Sequence, residues 1–230
     1  MSEAVIEKES RGGDASARSL AAWEIVSVAV STLVGEWLVF SLGGGSNALL
    51  AFPVALVFVF MFLSHRARGE GLRELGLRLD NFARAARLLI IPTLLMSAAC
   101  VGLGLYFGSI DFFKWYGGQS VFGVPALGLA WGLVQQYALQ GFVNRRAQIV
   151  WGRGWRSSLV VALLFGGLHL PNPTLTLVTF GGGLVWARVY QRAPNLFALG
   201  LSHSLMTWVL ISTVPAPWLY GLRVGYKFFT

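Results

Sequence analysis

The chain has 230 residues, of which 55% are hydrophobic and 12% charged, with 9 Trp and a formal net charge of +8. With a mean hydropathy of +0.63, this composition excludes an ordinary soluble globular domain and points to an integral membrane protein. The positive charge then needs no nucleic acid to explain it, because basic loops beside an anionic bilayer surface account for it.

In chain order, residues 1–18 mix Glu7, Lys8, Glu9, Arg11 and Asp14 with Gly and Ser. That reads as a short disordered tail and not as a secretory signal with its basic start and apolar core. The membrane domain takes residues 19–230. About 20 helical residues cross a hydrocarbon core of roughly 30 Å, so the apolar runs predict an all-α, polytopic bundle of about seven spans. They lie near 20–42, 47–63, 84–107, 121–143, 157–170, 174–190 and 196–214. The fifth is short and reads as tilted, extended by its flanks or sunk within the bundle. The "GGGSN" at 43–47 lacks the Gly-Lys-Ser/Thr ending that phosphate binding needs and reads as a flexible external turn. Cys100 sits alone in an apolar span as a small packing residue. Gly181, Gly182 and Gly183 in the sixth span read as a close helix contact.

Loop charge sets the orientation. Arg66, Arg68, Arg73, Arg78, Arg84 and Arg87 crowd residues 64–87, and Arg145, Arg146, Arg153 and Arg156 crowd 144–156, whereas 109–120 offers only Asp111 and Lys114. The first two loops are therefore expected on the cytoplasmic side, with the N-terminus inside and the C-terminus outside. Trp151 and Trp155 suit an interfacial belt there, with Trp115 and Trp218 as their counterparts outside.

Polar groups at membrane depth are costly unless buried and partnered, which makes them informative. They are Glu24 and Glu36 in the first span, Gln135, Gln136 and Gln140 in the fourth, His169 in the fifth, and His203 with Thr207 in the seventh. Gln136 and Gln140, Phe165 and His169, and His203 and Thr207 are each four apart and share a helix face. At about 1.5 Å per residue, Gln135, His169 and His203 all lie on the order of 10 to 20 Å deep. Three helices can thus present polar side chains to one cavity. His65, in the basic loop, is expected to be solvated. Interhelical amide hydrogen bonding and ordinary core packing are the plainer accounts of the same residues.

The stretches "QQYALQGFVNRR", "FGGLHLPNPTLTLVTFGGGLVWARV" and "PNLFALGLSHSLMT" resemble, in order, the motifs of the CPBP family, the CAAX proteases and bacteriocin-processing (Abi) enzymes. The resemblance covers about residues 121–214, and "RELGLRLDN" at 73–81 is similar to the segment that often precedes the third span in such proteins. The family pattern runs Glu-Glu-x-x-x-Arg, then Phe-x-x-x-His, then His-x-x-x-Asn. The resemblance implies an intramembrane endopeptidase acting on membrane-associated peptides or proteins; a bacterial inner (plasma) membrane is the expected location, and no cofactor is expected. It implies that the first Glu and the His of the second motif activate water, and that the third-motif His and Asn stabilise the oxyanion. Carried over, Gln135 and Gln136 stand at the glutamate positions and Gln140 at the arginine position. Phe165 and His169 match the second motif, His203 matches the third, and Thr207 stands where Asn is expected.

The departures bear on chemistry, because a general base must accept a proton and an amide cannot. A buried arginine at 140 would also lack its partner once the acids are gone, so the three changes agree with one another. From residue 112 onward the chain contains no Asp or Glu, so a catalytic carboxylate must come from the first half, where Glu36 is placed inside a span. Either Glu36 reaches the cavity, where it pairs with a protonated His or replaces the missing base, or His169 is itself the base with Gln135 orienting the water. A zinc site is poorly supplied, with His169 and His203 as its only credible donors. Three function classes stay open: a working endopeptidase with an altered water-activating group, a pseudoprotease that binds a peptide or membrane partner in the retained cavity, and a small transporter, for which no broken-helix pair or inverted repeat is evident.

Overall fold

The computed structural model describes residues 3–42, 47–113 and 123–230. Most of the "GGGSN" turn, Lys114 and Trp115 lie outside the described residues. The described residues form helices and no strands. The helices are α1 (Glu3–Leu33), which continues as π-helix over Val34–Val39 into α2 (Phe40–Leu42), then α3 (Asn47–Ala67) and α4 (Phe82–Phe107). After them come α5 (Gly123–Gln136), a second π-helical stretch (Tyr137–Asn144), α6 (Arg145–Trp151), α7 (Trp155–Gly167), α8 (Pro173–Arg192), α9 (Leu196–Thr213) and α10 (Ala216–Leu219). α1 thus runs through most of the segment that reads as a tail.

The helices Asp14–Leu42, Phe82–Phe107 and Leu196–Thr213 are long and apolar enough to cross a membrane, while Ala51–Ala67 and Trp155–Gly167 are shorter apolar helices. Ile91, Leu94 and Leu95 on α4 are exposed, as side chains that face lipid are. The chain is an integral membrane protein.

Local chemistry sets the boundaries. α8 starts at Pro173, whose fixed φ suits a first helical position, behind Asn172, whose side chain accepts from Leu175 N. Asn195 caps α9 in the same way through Ala198 N. Gly152, at φ 78°, ends α6 in a conformation that side chains with a Cβ avoid. The expected 144–156 loop is corrected here. Arg145–Trp151 is helical, because Asn144 and Arg145 keep helical dihedrals as the chain leaves the π-helix.

Hydrogen bonds at the helix ends fix the antiparallel order. At one end Asn81 donates to the Pro194 carbonyl, Gln191 accepts from Gly154 N, and Arg145 reaches Glu70. At the other, Asp111 N donates to the Ser212 carbonyl and Asn172 to the Leu219 and Arg223 carbonyls. Both Arg-rich segments therefore meet at one end of the bundle. The larger of two buried apolar clusters among the described residues includes Phe142, Val161, Phe165, Trp186, Tyr190 and Leu199, and the smaller one Leu175, Leu210, Val214 and Leu219. Of the three consecutive glycines, Gly183 marks the close α7–α8 crossing, since a Cβ there would sit 3.1 Å from Ala162 Cα, whereas one on Gly181 would meet open space.

Candidate active site

α5 and α9 approach closely because glycines face each other. A Cβ on Gly132 would lie 3.0 Å from the Gly200 carbonyl oxygen, and one on Gly200 would lie 3.2 Å from Leu133 Cα. One turn further along, Gln136 Nε2 reaches His203 Nδ1 at 3.1 Å, with both side chains buried. Trp186 stacks on the His203 ring at 4.6 Å between centroids and 18° between planes, and the Phe165 ring meets it at 5.9 Å. The indole is itself tied down, since Trp186 Nε1 donates to Ser202 Oγ at 3.1 Å and Ser202 bonds Thr93 at 3.0 Å.

His169 stands just beyond the end of α7. Its Nδ1 lies 2.7 Å from the Phe165 carbonyl oxygen, and the two rings meet edge to face at 4.9 Å. A carbonyl only accepts, so Nδ1 carries the hydrogen and the lone pair of the neutral ring sits on Nε2. Among the described residues no protein group bonds His169 Nε2.

Gln135, His169, His203, Thr207 and Glu36 border one cavity of about 920 Å³. Glu36 comes from the π-helical stretch after α1 and borders the same cavity as the two histidines. Its Oε2 is buried with no hydrogen-bond partner among the described residues. π-Helical turns are frequent where a helix must re-aim a functional side chain. Gln136 touches His203 without bordering the cavity.

Two other residues from the motifs are occupied elsewhere. Thr207 Oγ1 donates to the His203 carbonyl at 3.0 Å, so its one hydrogen is engaged within its own helix. Gln140 Oε1 accepts from Asn144 Nδ2 at 2.8 Å, and Asn144 in turn donates to the Ala187 carbonyl. Gln140 therefore ties the π-helix toward α8, and the two glutamines four apart do separate jobs. Among the described residues no three His, Cys, Asp or Glu side chains gather closely enough to hold a metal ion.

At the basic end lies a second polar cluster that the motifs did not indicate. Arg146 is fully buried. It contacts Glu24 Oε2 at 2.9 Å, Glu70 Oε2 at 2.8 Å and Ser64 Oγ at 2.9 Å, with its guanidinium over the Phe142 ring. Arg68 adds a bond to Glu24 and Arg145 one to Glu70. His65, expected to be solvated, is 3% exposed, because it falls in the last turn of α3 and its Nδ1 lies 2.6 Å from Glu70 Oε2. Burial raises the Glu70 carboxyl pKa, but hydrogen bonds from His65, Arg145 and Arg146 outweigh that and hold it at about 2. The available signal was the presence of Glu24 and Glu70 in the first half of the chain, each needing a cation once buried.

Residues 117–209, which carry all three motifs, match the family model described as type II CAAX prenyl endopeptidase Rce1-like. Over that segment, less than half of the chain, the protein is similar to this family. Neither the curated proteins nor the solved structures yield a match to the chain. The CPBP resemblance thus holds over the segment where α5, α7 and α9 build the cavity.

Proposed function

We propose that the protein is an intramembrane endopeptidase of the CAAX-protease type that hydrolyses a membrane-associated peptide with His169, in place of a glutamate, as the base. The observation that carries this reading is the His169 Nδ1 bond to the Phe165 carbonyl, which leaves Nε2 as an acceptor beside Gln135 and His203 on one cavity. Nε2 takes a proton from water as the water oxygen attacks the scissile carbonyl carbon. The negative charge that develops on the carbonyl oxygen lies beside His203. The carbon–nitrogen bond then breaks, and the amine leaves with the proton returned by His169. Gln135 holds the water by hydrogen bonding, a role open to an amide although proton abstraction is not. The end where the Arg-rich segments meet is read as cytoplasmic, with the N-terminus inside and a bacterial-type plasma membrane as the location.

A second reading, a pseudoprotease that binds a peptide in the retained cavity, is favoured by one observation. The Thr207 hydroxyl is already donated to a backbone carbonyl. The test is cleavage of membrane-tethered peptides by purified protein in liposomes. Cleavage that falls at least about 100-fold in His169→Ala and less than tenfold in Glu36→Gln supports the protease reading with His169 as the base, since removing a general base costs about 10²–10⁴. Peptide binding without cleavage favours the second reading.

A further inference from the structure

The imidazole of His203 has one fixed contact whose chemistry decides where its hydrogen sits. We infer that Gln136 is a positioning residue that holds His203 as the neutral tautomer with its hydrogen on Nε2. The inference deepens the proposed endopeptidase reading and rests on it for its catalytic meaning.

Gln136 Nε2 faces His203 Nδ1 at 3.1 Å, and an amide nitrogen donates but does not accept. With the amide in this orientation, which leaves Gln136 Oε1 buried and without a partner among the described residues, His203 Nδ1 accepts and the one hydrogen of the neutral ring sits on Nε2. His203 borders the cavity, and among the described residues no protein group bonds Nε2. The stacked Trp186 and the edge contact from Phe165 fix the plane in which that N–H points. His169 is held the opposite way, with its hydrogen on Nδ1 toward Phe165 and its lone pair on Nε2. One cavity thus receives an acceptor nitrogen from one histidine and a donor N–H from the other. Proton abstraction needs the first, and stabilising an oxyanion needs the second.

A carboxylate at position 136 would reverse this arrangement. It can only accept, so it would draw the hydrogen to Nδ1, and Nε2 would face a developing oxyanion with a lone pair unless the ring took up a second proton. With Gln136 a neutral His203 donates without a buried counter-charge. The acid-to-amide change at 136 therefore equips His203 as well as removing an acid.

The test is nitrogen NMR on the full chain in nanodiscs with ¹⁵N-labelled histidine. The chain has 3 His, and His65→Gln and His169→Gln variants assign the signals. In the unmodified protein we expect a hydrogen-bearing Nε2 and a bare Nδ1 at His203, the mirror image of His169. In Gln136→Glu the hydrogen shifts to Nδ1, and in Gln136→Met the single-tautomer pattern is lost. A hydrogen-bearing Nδ1 in the unmodified protein overturns the inference. So does an unchanged pattern in Gln136→Glu, and if the variants do not fold, the unmodified protein decides alone. The tautomer is read without substrate, so a protein that never cleaves a peptide still reports it, and the two claims can fail separately.

Discussion

Gly132 on α5 and Gly200 on α9 are stacked so tightly that a Cβ on the first would lie 3.0 Å from the carbonyl oxygen of the second. This contact sets the spacing of the two helices that carry Gln136 and His203. Small residues are what allow membrane helices such approach.

Widening that crossing is expected to damage the site from a distance. The neighbours of Gly200 are backbone atoms of Leu133, at 3.2 and 3.3 Å from a built Cβ, and they cannot rotate aside as a side chain would. Gly200→Val should destabilise the fold by about 1–3 kcal/mol, the usual cost of overpacking. Thermal unfolding in detergent and the cleavage rate should fall together. A Gly200→Val protein with unchanged unfolding and unchanged rate would show that the α5–α9 spacing does not matter.

Thr207 stands where the family carries Asn, but its hydroxyl hydrogen is given to the His203 carbonyl. An oxyanion donor lost by mutation costs about 10²–10³ in rate. Thr207→Ala should cost far less, under about threefold, and Thr207→Asn should raise the rate by supplying an amide donor the present residue does not offer. Steady-state rates on one peptide substrate decide between these outcomes.

Much of this site was legible because its residues are intrinsically out of place in hydrocarbon. Gln136 and His203 announce themselves as polar groups on two apolar helices, with His169 in the turn that follows a third, and their spacing matches an ordered set of motifs. The pairing of Glu24 with Arg146 was not legible, because it joins residues 24 and 146 through three-dimensional packing with no local pattern. Nor was the π-helix over Tyr137–Asn144, which makes a strict four-residue spacing misleading for Gln136 and Gln140. His65 looked like a solvated loop residue because three arginines follow it within eight positions, yet α3 extends far enough to bury it.

The network at the basic end should give the protein an acid limit. The Glu70 carboxyl is lowered from its ordinary 4.5 to about 2, so the stability it contributes is fully present above about pH 4.5 and is lost as the pH falls toward 2. Glu70→Gln should therefore be less stable than the unmodified protein at pH 7, with the difference shrinking steadily between pH 4.5 and 2. Arg146→Met should also lower stability at pH 7, because it removes the buried cation that Glu24 and Glu70 share and leaves each with only its outer arginine, Arg68 or Arg145. Denaturation midpoints in detergent across that pH range would check both. A Glu70→Gln deficit that stays constant down to pH 2 would count against the pairing.

The central claim is that this cavity hydrolyses peptides without a glutamate. The direct measurement compares cleavage of a panel of membrane-tethered peptides by the unmodified protein with cleavage by a version carrying Gln135→Glu, Gln136→Glu and Gln140→Arg. The unmodified protein is expected to cleave, and His169→Ala to abolish its activity. Cleavage only after the glutamates and arginine are restored would contradict that claim and leave the present chain a protease scaffold that binds without cutting.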